Sequence, residues 1–182
     1  KFISDDNIDL AIKNASKNKK DRREIRIALN DPGFHGKIKV YANNFYNEIH
    51  ELMEIYDGVQ RKKRNIIVPT FMELVVQHMI VNVLAPIIQK RMYFHSYGSL
   101  PGKGGHKGKI AVEKYLKKHH GKKLWCFKFD IRQYFASIPQ DVMISKLRKI
   151  IHDEKFLSII ICQLFNSSSI ISISINIKFI NC

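Results

Sequence analysis

From Phe71 to about Arg91 the sequence is apolar almost all the way round a helical wheel: Phe71, Leu74, Val75, Met79, Val81, Val83 and Leu84 leave no broad polar stripe. A helix of that kind is expected to be buried and to have the rest of the chain packed around it. Its start is marked by Thr70 and Glu73, the Thr-x-x-Glu spacing of a capping box. Pro86 is expected to kink it before Arg91.

The remaining elements are placed around that helix. Residues Asp5 to Leu29 read as helix, with Ile8, Ala11, Ile12 and Ala15 at helical spacing and a second helix through Arg22 to Leu29. Asn30-Asp31-Pro32-Gly33 breaks the chain, and Lys37 to Tyr46 is ambiguous. A hairpin follows: Ile49, Leu52 and Ile55-Tyr56 lead into Asp57-Gly58, and Asn65-Ile66-Ile67-Val68 returns. Tyr97 to Gly105 is a loop, and His106 to about His120 a helix with Ile110, Val112 and Leu116 on its apolar side. Trp125 to Phe129 reads as a short strand with Asp130 at its end. Pro139 opens a helix through Val142, Ile144, Leu147 and Ile150-Ile151.

Charge narrows the partner class. The chain has 182 residues and a formal net charge of +15. Such an excess opposes compaction and favours polyanions, because each phosphate contact releases condensed counterions. Nucleic acid leads; a generic basic protein, or one held at an acidic membrane surface, is the alternative. Cys126, Cys162 and Cys182 have neither disulfide-framework nor metal-ligand spacing, which points to a reducing cytoplasm. No apolar leader segment lies between Lys1 and Asp9, and the Lys at position 1 suggests a trimmed start. After Lys155 the text turns to Ile, Ser, Asn and Phe, with Ser167-Ser168-Ser169 and an alternating Ile/Ser run. That stretch reads as a low-complexity tail from truncation or a shifted frame, and as an aggregation liability.

The chemistry-bearing string is Lys128-Phe129-Asp130-Ile131-Arg132-Gln133-Tyr134-Phe135-Ala136-Ser137-Ile138. It offers one carboxylate at a strand end, an aromatic pair, and then a helix. Alone, such an acid is more often a cap or a solvated loop residue. Here it closes an ordered series. Lys62-Lys63-Arg64-Asn65-Ile66-Ile67-Val68-Pro69 resembles the basic fingers hairpin of bacterial reverse transcriptases, and Phe71 to His78 the helix after it. His95-Ser96-Tyr97-Gly98 and its glycine-rich continuation to Gly108 resemble the family's Ser-Tyr-Gly loop. Asp130 to Ile138 resembles motif A of the palm. The likeness covers roughly Asp5 to Lys155 and is nearest to retroelement and prophage-type enzymes.

The resemblance implies an α/β (α+β) fold: a right-hand polymerase fingers–palm region, truncated, mostly helical, with a fingers hairpin and an incomplete palm sheet. It divides the chain into an N-terminal helical extension (1–47), fingers with partial palm (48–155) and the tail (156–182). It implies RNA-directed DNA polymerisation by two-metal nucleotidyl transfer, with Mg2+ held by hard oxygen ligands. By resemblance Asp130 is catalytic and a metal ligand, and the Ile131 carbonyl a second one. Phe135 packs under the nucleotide sugar, or else is a core aromatic. Arg64 and Lys62 or Lys63 clamp the triphosphate. Lys103, His106, Lys107 and Lys109 contact template or primer phosphates; the loop is not a GxxxxGK[ST] phosphate loop. The partners implied are an RNA template, a DNA primer and deoxynucleoside triphosphates, with no membrane.

Other parts of the family pattern are missing. No Asp-Asp pair follows Asp130, and no Pro-Gln-Gly core or thumb is present. Asp141 and Asp153 are single acids expected to face away. The chain alone is therefore expected to be weakly active or inactive. The reading from another class is a non-catalytic basic module that binds nucleic acid.

Overall fold

The computed structural model describes residues 1–44, 52–59, 61–98, 100–131 and 134–165. It is mostly helical. Helices α1 (Asp5–Ser16), α2 (Arg23–Leu29) and α3 (Phe34–Asn43) come first, then a hairpin of β1 (Leu52–Asp57) and β2 (Lys62–Ile67). Helices α4 (Phe71–Gln89), α5 (Gly105–Lys118), α6 (Gln140–Arg148) and α7 (Glu154–Phe165) complete it, with a 3-10 turn at Tyr134–Ser137. The start of the expected hairpin at Ile49, its tip residue Gln60 and the Ile/Ser run lie outside the described residues, as does Cys182.

Helix α4 is the central element, and its start is set by its own sequence. The Thr70 amide donates to Glu73 Oε2 at 2.8 Å, and the Glu73 amide donates to Thr70 Oγ1 at 3.3 Å. Both halves of the capping box are thus made. The helix continues through Pro86 to Gln89. By length and composition it could cross a bilayer, but in this fold its first half is the floor of the core. Phe71, Val75, Val76, Met79 and Ile80 are buried, whereas the turns from Val81 onward are only half-covered.

Helices α1 and α3 cover that face, α1 most extensively. Ile8, Ala11 and Ala15 are buried from α1, and Phe34, Ile38 and Ala42 from α3. The small alanines let α1 approach α4 closely. Phe34 stacks on Phe71 with ring centroids 5.7 Å apart and planes within 4°. Between α1 and α4 sits Asn7, buried and fully employed. Its Nδ2 donates to the carbonyls of Phe2 (2.7 Å) and Met79 (3.2 Å), and its Oδ1 accepts from Asn82 Nδ2 (3.0 Å). On the rim, Asp5 takes Lys39 at 2.7 Å and Asp9 takes His35 at 2.8 Å, tying α1 to α3. The Lys39 hydrogen bond and charge, with His35 behind them, hold the Asp5 carboxyl below the usual carboxylate range.

Helix α7 enters the same core. Phe156, Leu157, Ile159 and Ile160 are buried in it, and the Phe2 and Phe156 rings meet at 5.0 Å. Asp153 Oδ1 accepts the Phe156 amide at 2.9 Å, so this acid caps α7 rather than belonging to α6. The first ten residues of the stretch read as a low-complexity tail are therefore folded helix. The core runs across all three segments distinguished in the sequence.

Two further expectations change. Lys37 to Asn43, ambiguous in sequence, is part of α3, launched from an Asx turn in which Asp31 Oδ1 accepts the Gly33 amide at 2.8 Å. The strand expected over Trp125 to Phe129 is not formed. Residues 123–131 have no regular secondary structure, and every one of them is exposed. A lone strand has no partner for its backbone groups, and the one sheet among the described residues is the β1–β2 hairpin. The fold is mostly helical with one hairpin, as expected, but the incomplete palm sheet expected beside it is not built from the described residues.

Candidate nucleic-acid interface

The hairpin carries the first group of cations. Its strands pair antiparallel with Asp57 opposite Lys62, Tyr56 opposite Lys63 and Ile55 opposite Arg64. The loop between them is longer than the two-residue turn that Asp-Gly suggests: Gly58 has φ +73, and the Arg61 amide closes a turn on the Gly58 carbonyl at 3.1 Å. Because a strand alternates with period two, positions 62 and 64 share one face and 63 takes the other. Lys63 is bound to Glu54 across the strands at 2.6 Å. By register, position 62 rather than 63 shares the strand face of position 64. The side chains of Lys62, Arg64 and Phe135 lie outside the described atoms.

The second group surrounds the start of α5. The Lys103 amide donates to the Leu100 carbonyl at 3.1 Å, and Gly102 between them has φ +69, the conformation that the third position of a Pro-Gly turn needs. Gly104, at φ +102, then passes the chain into α5. The Tyr97 ring lies against Gly108: a Cβ built there would meet it at 3.3 Å. That glycine is what lets the loop lie on the helix. Lys103, expected on phosphate, makes its contacts within the loop. Its ammonium donates to the Phe94 carbonyl and stands 5.1 Å from the Phe94 ring centroid and 5.7 Å from that of Tyr97. Lys109 leans on Glu113 at 3.7 Å, an exposed pair of small worth.

His106 and Lys107 are exposed in the first turn of α5, which has no acidic residue and no side-chain cap. Cations there oppose the helix dipole, at a cost of about 0.3–1 kcal/mol each when charged. An anion at this end would reverse the sign. His106 and Lys107 therefore fit a phosphate contact better than Lys103 or Lys109 does.

Asp130 is exposed, and its Oδ1 accepts the amide of Ile131 at 3.0 Å. The 3-10 turn with Tyr134 and Phe135 follows, closed by Ser137 Oγ donating to the Tyr134 carbonyl at 2.8 Å. Among the described residues no group of three or more His, Cys, Asp and Glu side chains is set to hold a metal ion. One carboxylate suits a single contact to a hydrated Mg2+ ion. It does not fit a two-ion site.

What the sequence reading did not single out is the ring cluster beside Lys103. Tyr93 and Phe94 are exposed; His95 Nδ1 lies 2.9 Å from the Tyr97 hydroxyl and its ring 5.0 Å from that of Phe94. The signal in the sequence is four rings within five residues ahead of a glycine-rich basic stretch.

Comparison with known proteins adds one finding. Over 92 residues, half of this chain, the sequence is 27% identical to nuclear intron maturase 1, mitochondrial, of Arabidopsis thaliana; the match covers 12% of that protein. No family model matches the chain. The chain thus has a distant similarity, over a small part of the relative's length, to an intron maturase.

Proposed function

We propose that this chain is the fingers and first palm segment of an RNA-directed DNA polymerase, and that on its own it binds template, primer and nucleotide without completing the catalytic site. The observation that supports this best is the order of its parts. A basic hairpin, a capped apolar helix, a Ser-Tyr-Gly loop and an aromatic-flanked Asp130 follow one another, and half the chain is distantly similar to an intron maturase. In this reading Asp130, with the Ile131 carbonyl, contributes one side of a Mg2+ site. Phe135 lies under the sugar, Arg64 and Lys62 reach the triphosphate, and His106 and Lys107 meet template or primer phosphate.

With no group of three or more metal-ligating side chains among the described residues, one other reading stands beside it, a binding module in which Asp130 has no catalytic use. Two measurements separate them. Primer extension on an RNA template by the purified chain should stay at background; incorporation that vanishes in Asp130→Ala would contradict the proposed incompleteness. Deoxynucleotide binding should tighten with Mg2+ and lose that gain in Asp130→Ala. Binding indifferent to both the ion and the substitution would leave only the binding module.

A further inference from the structure

Lys103 stands between two glycines, Gly102 at φ +69 and Gly104 at φ +102. Glycine loses more conformational freedom on folding than any other residue, so a stretch of this kind does not hold its own course. Side-chain contacts have to set it. Those of Lys103 reach back nine residues along the chain, where its ammonium donates to the Phe94 carbonyl. The same ammonium lies over the Phe94 and Tyr97 rings, at 5.1 and 5.7 Å from their centroids. Tyr97 is engaged on two further sides. Its hydroxyl lies 2.9 Å from His95 Nδ1, and its ring is where a Cβ at Gly108 would collide, at 3.3 Å. Gly108 belongs to the first turn of α5 and follows Lys107 directly. An unbroken run of contacts thus leads from Phe94 through Lys103 and Tyr97 to the helix end that carries His106 and Lys107. To meet a phosphate itself, the half-buried Lys103 would have to leave a carbonyl and two rings; Lys107 is exposed.

We propose that Lys103 is a positioning residue, which fastens the loop to the first turn of α5 and so holds His106 and Lys107 where a phosphate backbone meets them. It rests on the phosphate role given to those two residues above. A direct contact and a fastener differ measurably. The contact releases counterions of its own, whereas the fastener contributes only what it holds in place.

The experiment follows binding of a labelled RNA–DNA hybrid to the full chain across a salt series, with the Gly108 α-proton resonances read by NMR. Those protons lie in the ring current of Tyr97. Lys103 is outside the buried core, so Lys103→Ala leaves the fold in place. Lys107→Ala should flatten the log–log salt line by about 0.9, Lys103→Ala by no more than that, and the double variant no further than Lys107→Ala alone. The Gly108 resonances should move in Lys103→Ala and stay in Lys107→Ala. They should also stay in Lys103→Arg, whose guanidinium donates to a carbonyl and stacks on rings. Gly108→Val removes no charge but crowds Tyr97, and should weaken hybrid binding as Lys103→Ala does. Flattening that adds to about 1.8 in the double variant would overturn the proposal and make Lys103 a phosphate contact in its own right. Gly108 resonances that ignore Lys103→Ala would overturn it as well, and so would resonances that move while the salt line does not. A parent chain that binds no hybrid sinks the polymerase reading and this proposal together; the other outcomes judge the fastening alone.

Discussion

Replacing Asn7 by aspartate leaves the shape of the side chain intact and removes its two amide donors. In the fold that amide donates to the Phe2 and Met79 carbonyls at 2.7 and 3.2 Å, and its oxygen accepts from Asn82 at 3.0 Å. Three hydrogen bonds at about 0.5–1.5 kcal/mol net put the cost of Asn7→Ala at about 2–4 kcal/mol. Asn7→Asp at pH 7 should cost more, because it sets a nearly buried anion against two carbonyl oxygens. Its sign with pH is also determined. The folded state disfavours the carboxylate, so the pKa there lies above the unfolded value of about 3.9. The stability of the variant is then fully present below that value and is lost as pH rises through the folded pKa. The assay is urea unfolding at pH 3.5 and pH 7. With a slope of about 2 kcal/mol per molar, the alanine variant should lose about 1–2 M of midpoint at pH 7, and the aspartate variant more. An aspartate variant as stable as the parent at pH 7, or one no better than alanine at pH 3.5, would refute the role assigned to Asn7.

Two other perturbations test the same core. Thr70→Ala should destabilise by about 1 kcal/mol, and adding Glu73→Ala should cost less than the sum of the single effects, since the two residues cap each other; a double-mutant cycle by urea unfolding checks it. Burial, with Lys19 adding to it, holds His78 below its usual pKa. The unfolded chain takes up that proton near pH 6.5 and the folded chain only at lower pH, so stability should fall as pH is lowered below about 6.5. The fall should be smaller in His78→Gln, measured as unfolding midpoints at pH 7.5 and pH 5.

The sequence announced α4 because capping and apolarity agree there: Thr70, Glu73 and the run after them all point to one buried helix. It hid α7. Phe156, Leu157, Ile159 and Ile160 carry a helical period, but the Ile/Ser text that follows drew the boundary too early. Asn7 gave no sign of burial, since an asparagine on an amphipathic helix looks like a solvent-facing one until the carbonyls that receive it are in place. Trp125 to Phe129 failed in the opposite sense. Its alternation is that of a strand, yet a strand needs a neighbour, and no described segment lies beside it. At the interface, residue types were legible but pairings were not. Lys103 is taken by Phe94 and Tyr97 and Lys63 by Glu54, and both partners depend on register and loop geometry rather than composition.

The central claim, that this surface handles a polynucleotide, is tested most directly by the salt dependence of binding. A labelled RNA–DNA hybrid should bind the chain with an affinity that falls linearly in log–log form as salt rises. Replacing Lys107 by alanine should flatten that line by about 0.9, the contribution of one phosphate that is no longer neutralised. Binding that ignores salt, or a slope that the substitution leaves untouched, would contradict the account.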